Sequence, residues 1–140
     1  MILAIVGSRF FNDFQFVKKM VLKTINIRTV EKIISGGAKG VDSCAKDLAD
    51  YYSIPFDKHP AKWYTVDGKF DKSAGIRRNI LIINAADVVI AFWDGRTEHC
   101  GTKHDIDYCI EKNKEIHVIM ISENNFGEHL DLKGIRHIYG

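Results

Sequence analysis

The chain lacks the marks of any extreme class. No apolar run approaches the ~18 residues that a membrane span needs, so no membrane is expected as a partner. No dense basic run occurs either. Twenty Lys and Arg against 18 Asp and Glu leave a net charge of only +2. Attraction to nucleic acid by bulk electrostatics is therefore not implied, and nucleic acid is not expected as a partner. Cysteine is scarce: Cys44, Cys100 and Cys109 are odd in number and form no C-x-x-C pair. That composition suits reduced thiols in the cytoplasm better than a disulfide framework. The opening Ile2-Leu3-Ala4-Ile5-Val6-Gly7 is too short, and too uncharged at its start, for a signal peptide. Linkers, low-complexity tracts and internal repeats are absent, and 140 residues suit a single domain at 1–140.

Apolar runs alternate with helical periodicity. Ile2–Val6, Val30–Ile34, Ile54–Phe56, Val88–Trp93 and Ile116–Ile121 read as strands, with Pro55 pointing to an edge position. Between them, Phe14, Val17, Val21 and Ile25 mark one helix face behind an Asp13 cap. Val41, Cys44, Ala45, Leu48, Ala49 and Tyr52 mark a second. Ile76, Ile80 and Ile83 mark a third behind Ser73, and Ile106, Cys109 and Ile110 a fourth opened by Thr102. A polar, aromatic-dotted loop joins Pro60 to Lys72, and Ile135–Tyr139 reads as a further short strand. This order predicts a Rossmann-like α/β domain, a mostly parallel sheet of about five strands with helices on both faces. Ligands of such folds bind beyond the carboxyl ends of the strands.

The loops on that edge differ from those opposite. Gly36-Gly37-Ala38-Lys39-Gly40 lies at a strand-to-helix turn and can aim N–H groups at a phosphate. Its spacing is neither G-x-G-x-x-G nor a P-loop, and a tight turn explains the glycines equally well. The same edge carries Gly7-Ser8-Arg9, Asp94-Gly95, and Gly101-Thr102 at a helix start. Arg9 can pair with a phosphate; Trp63 can stack on a base or anchor its loop. Asp42 can accept from a ribose or complement the helix dipole. Asp94 can orient a hydroxyl or form an Asx turn. His99, Cys100, His104 and Cys109 match no usual zinc spacing, so no metal is assigned.

The motifs G-S-R (7–9), S-G-G-A-K-G-V-D (35–42), A-K-W (61–63), A-G-I-R-R-N (74–79), A-D-V-V-I-A-F-W-D-G (86–95) and G-T (101–102) occur in order. Together they resemble the YspA-type, YpsA-related branch of the SLOG superfamily over about residues 1–121. That superfamily includes the LOG-type phosphoribohydrolases and the single-stranded-DNA-binding Smf/DprA proteins. The resemblance implies a Rossmann-like fold, a nucleotide or nucleotide-derived ligand, and a homodimer or higher homo-oligomer; it names no cofactor. It makes Arg78 and Asn79 the site pair of A-G-x-x-R-N. The LOG pattern P-G-G-x-G-T-x-x-E is altered here to His99-Cys100-Gly101-Thr102-Lys103-His104-Asp105. Asp105 therefore reads first as half of a capping box with Thr102. The alternative function is N-glycosidic hydrolysis of a nucleotide, with Asp94, Asp105 and Arg78 as the candidate catalytic set; single-stranded DNA binding, by analogy with Smf/DprA, ranks third because the net charge is small and no basic stripe is present.

Overall fold

Strand residues alternate between two faces, and in this chain both faces are apolar. The computed structural model describes residues 1–98 and 100–130. Its strands are β1 (Ile2–Gly7), β2 (Lys32–Ser35), β3 (Phe56–Lys58), β4 (Val88–Trp93), β5 (Glu115–Met120) and β6 (His129–Leu130). Its helices are α1 (Phe14–Thr24), α2 (Val41–Tyr51), α3 (Ala74–Ala85) and α4 (Gly101–Glu111), with a 3₁₀ turn at Ile27–Thr29. The sheet order is β3-β2-β1-β4-β5-β6, parallel except for β6.

Leu3, Ile5, Ile33, Ile90 and Phe92 point to one side, against Val17 and Val21 of α1 and Leu48 of α2. Ala4, Val6, Val89, Ala91 and Trp93 point to the other, against Ile82 and Ile83 of α3 and Ile106 and Cys109 of α4. Each fully buried Ile or Leu contributes roughly 1.5–3 kcal/mol, so the two sets hold three layers together. β4 is buried at all six positions because helices cover both its faces and strands flank both its edges. At the far end of the sheet, Asp87 accepts the Ile2 N–H at 2.7 Å and ties β4 to β1.

Asp13 caps α1 by accepting from the Phe16 N–H at 3.1 Å. Pro55 precedes β3, which lies at the sheet edge. Two expectations are corrected. Ser73 makes no side-chain cap; Asp71 instead accepts the Ser73 N–H, and its carbonyl the Ala74 N–H. α3 is also turned from the predicted phase. Its inward stripe is Gly75, Arg78, Asn79, Ile82 and Ile83, while Ile76 is 39% exposed. The strand beyond β5 is β6, antiparallel to it; Ile135–Tyr139 lies outside the described residues. No helix among the described residues is long and apolar enough to cross a membrane.

Candidate functional site

Strand order reverses between the parallel neighbours β1 and β4, so the loops leaving those two strands diverge and open a crevice. A hollow of about 750 Å³ lies there, within the size range of small-molecule sites. The loops after β1 and β2 abut beneath it. The Val41 N–H donates to the Ser8 carbonyl at 3.1 Å. Gly40 has φ +74°, and a Cβ there would lie 2.5 Å from the Ser8 carbonyl oxygen. No side chain fits this junction.

The polar floor grows from the inward stripe of α3. Arg78 Nη1 donates to the Gly36 carbonyl at 2.9 Å, and its Nε to Asn79 Oδ1 at 2.5 Å. A Cβ at Gly36 would meet the guanidinium, so the glycine is what admits Arg78. Asn79 Nδ2 donates to Asp105 Oδ2 at 3.1 Å. Arg77, by contrast, faces outward and pairs with Asp71.

Two acids sit in this floor, Asp42 only 8% and Asp105 only 2% exposed. Burial pushes the Asp105 carboxyl up to about 7; the Asn79 hydrogen bond and the Arg78 charge partly offset it, and the Asp42 charge adds to it. Burial also raises Asp42, against the neighbouring Ser35 hydroxyl, the Ala38 and Gly36 N–H groups and the charge of Arg78. The Ala38 bond is 3.1 Å long. The glycine loop is thus a concave nest already holding an anion, the chain's own Asp42.

Asp105 is not half of a capping box. α4 begins at Gly101, with Cys100 at its N-cap position and no side-chain cap. Thr102 is therefore already inside the helix, and Asp105 faces α3. Asp94 forms an Asx turn, accepting from the Arg96 N–H at 3.1 Å, and pairs with Arg96 Nε at 2.8 Å. The Ser8 hydroxyl accepts the Phe10 N–H at 3.1 Å.

The structure brings most of the sequence candidates to one hollow. Gly7, Ser8 and Arg9 enter it from β1; Gly36, Ala38 and Asp42 from β2 and α2. Trp63 joins from the loop before α3, Arg78 and Asn79 from α3, and Asp94, Gly101, Thr102 and Asp105 from the β4–α4 loop and α4. Gly37, Gly40 and Gly95 do not line it. Gly37 is covered by the stem of Lys58, and Gly95 occupies a turn at φ +89°. Arg96 of the loop after β4 also lines the hollow, as do Lys72 and Lys103, which escaped the sequence reading. Lys72 ends the aromatic loop, and its position just before α3 was the available signal. Lys103 pairs with Asp107 and Arg96 with Asp94. Among the described residues, Arg9 and Lys72 form no ion pair. Of the residues weighed for a metal, Cys109 is wholly buried in the α3–α4 core. His99 lies outside the described residues.

No protein-family model matches the chain, and no curated protein does. Solved structures do. DNA processing protein A (DprA) from Streptococcus pneumoniae matches 98% of this chain at a TM-score of 0.69 and 19% identity. DprA from Helicobacter pylori, a structure reported for its single-stranded DNA binding mode, matches 100% at 0.62 and 19%. The chain spans 55% of the first protein and 73% of the second. At this identity the likeness is one of fold alone: the chain shares the Rossmann-like fold of a DprA domain. The YpsA branch is not distinguished by it.

The comparison overturns the expectation against nucleic acid, because a domain of the same fold belongs to a protein with a single-stranded DNA binding mode. A net charge of +2 averages the whole surface, whereas binding depends on where the cations stand.

Proposed function

We propose that the crevice binds a phosphorylated nucleotide unit. The observation that carries this reading is the 750 Å³ hollow at the strand-order reversal, where Arg9, Lys72 and Arg78 converge with the start of α4. Asp42 occupies the β2–α2 nest, so the phosphate is assigned to Arg9, Lys72 and the Gly101–Thr102 turn. Backbone N–H groups and the helix dipole favour an anion at that turn. The sugar then lies toward Asp42 and Asp94, and Trp63 offers a face to the base. Gly7-Ser8-Arg9 and the A-G-I-R-R-N run support the YpsA-related branch within the SLOG-type fold.

A second reading, favoured by the H. pylori relative, is that the unit belongs to a single-stranded DNA chain. Glycosidic cleavage is the third, with Asp105 as the acid whose protonation changes near neutral pH.

Thermal shift with AMP, dTMP and inorganic phosphate, followed by chromatography for free base, tests all three. Binding raises the melting temperature by linkage. Arg9→Ala and Lys72→Ala should each abolish most of that rise while leaving the unliganded melting temperature unchanged. Free base that disappears in Asp105→Asn supports cleavage. A wild-type protein that responds to none of the nucleotides refutes the reading.

A further inference from the structure

The segment between β3 and α3 folds into a small hairpin. Tyr64 and Phe70 form an antiparallel bridge. The Thr65 N–H donates to the Lys69 carbonyl at 2.8 Å, and the Asp71 N–H to the Trp63 carbonyl at 2.6 Å. Gly68, at φ +80°, makes the turn. Three aromatic rings cluster on it. Trp63 and Phe70 stack at 5.9 Å with planes 10° apart, and Tyr64 stands edge-on to Phe70 at 5.8 Å. None is buried: Trp63 is 44%, Tyr64 68% and Phe70 57% exposed. The Trp63 ring reaches the body of the domain, 3.1 Å from where a Cβ on Gly75 of α3 would stand.

A patch of exposed rings marks a contact surface, and the charges say of what kind. Lys62, Lys69 and Lys72 stand among the rings, with Asp67 at the turn and Asp71 paired with Arg77 of α3. Lysine is depleted from protein interfaces, whereas alternating cations and aromatic faces suit a single-stranded nucleic acid, with phosphates on the lysines and bases on the rings. The hairpin also stands between two hollows. Trp63 and Lys72 line the nucleotide crevice, while the adjacent Lys62 lines a second hollow of about 650 Å³ with Lys58 and Arg77. Arg78 borders both. A strand leaving the crevice would cross the rings and meet cations on the other side.

We infer that the hairpin at residues 63–71 is a stacking platform for a single-stranded polynucleotide, whose backbone Lys62, Lys69 and Lys72 follow out of the crevice. This rests on the crevice holding a nucleotide unit.

Fluorescence anisotropy with labelled dT₃, dT₆ and dT₁₂, beside thermal shift with dTMP, tests it. The wild type should bind dT₁₂ more tightly than dT₃, with quenching of tryptophan emission from Trp63. Tyr64→Ala combined with Lys69→Gln should weaken dT₁₂ binding on the order of tenfold. Neither residue lines the crevice, so dTMP binding and the unliganded melting temperature should stay as they are. Lys62→Gln with Lys69→Gln should reduce the slope of log affinity against log salt by about 1.4. If dTMP binds and dT₁₂ binds no tighter than dT₃, or both double variants leave dT₁₂ binding unchanged, the platform is refuted and the nucleotide reading stands. If the variants change only self-association by sedimentation, the rings belong to a second copy of the chain, and the inference falls. Failure to bind either dTMP or dT₁₂ removes both.

Discussion

The β2–α2 and β4–α4 loops open onto the same crevice, and both carry glycine at a strand-to-helix turn. They differ in what fills them. In the first, Asp42 turns back onto the Gly36 and Ala38 N–H groups, and Arg78 closes over Gly36. In the second, a Cβ on Gly101 would meet nothing within 4 Å, and no side chain caps α4. One loop is therefore a built part of the floor and the other an open end. Glycine content alone does not separate a phosphate cradle from a packed junction; the neighbours of each glycine do.

The comparison breaks most visibly at Gly40. Gly40→Ala places a Cβ at φ +74° against the Ser8 and Arg9 backbone, combining strain with overpacking. A loss of about 4 kcal/mol is expected, measured by urea denaturation. Next is Asp105→Asn. The ordinary Asp value is 3.8, and in the folded protein it is about 7. Between those values the folded state keeps a proton that the unfolded chain has released, so stability falls as pH rises from about 4 to 7 and is flat outside that window. The Asn variant lacks that penalty. It should match the wild type at pH 4 and exceed it at pH 8 by on the order of 4 kcal/mol, read from denaturation curves across pH.

Asp42→Asn sharpens the contrast from the ligand side. Its amide oxygen can still accept from the Ala38 N–H, but the negative charge is gone. Phosphate affinity should rise roughly five- to tenfold at low salt, by titration calorimetry with dTMP. A fall would show that the Asp42 charge serves the ligand directly. The smallest effect is expected at the open loop. Gly101→Ala should change stability by less than about 0.5 kcal/mol, and a large loss by thermal melting would show that this loop too is packed.

Much of this arrangement was readable from residue order. In a parallel sheet every β-to-α loop leaves by the same edge, so Gly7, Arg9, Gly36, Asp94 and Gly101 were assigned to one edge without coordinates. The phase of α3 was not readable, because apolar residues lie on several of its sides. Ile76, Ile80 and Ile83 fit a helical stripe as well as Ile82 and Ile83 do, and packing on Val89 and Ala91 of the sheet decides between them. The turn of Asp105 toward Asn79 was hidden for a related reason. Thr102-x-x-Asp105 has the spacing of a capping box, and starting the helix at Gly101 removes Thr102 from the cap. The hairpin was visible only as a loop, since its cross-strand bonds depend on a turn at Gly68 that composition does not single out.

By itself, then, the sequence determined the layered α/β domain and the edge on which its polar loops gather. Alternation of apolar runs with helical periods leaves few other ways to bury so much apolar surface. Tertiary structure alone decided which polar groups stand in the crevice and in what state. Arg78, Asn79, Asp42 and Asp105 come from separate segments. Their hydrogen bonds, and the burial that lifts the Asp105 carboxyl to about 7, exist only once α2, α3 and α4 have packed against the sheet and excluded water from the floor.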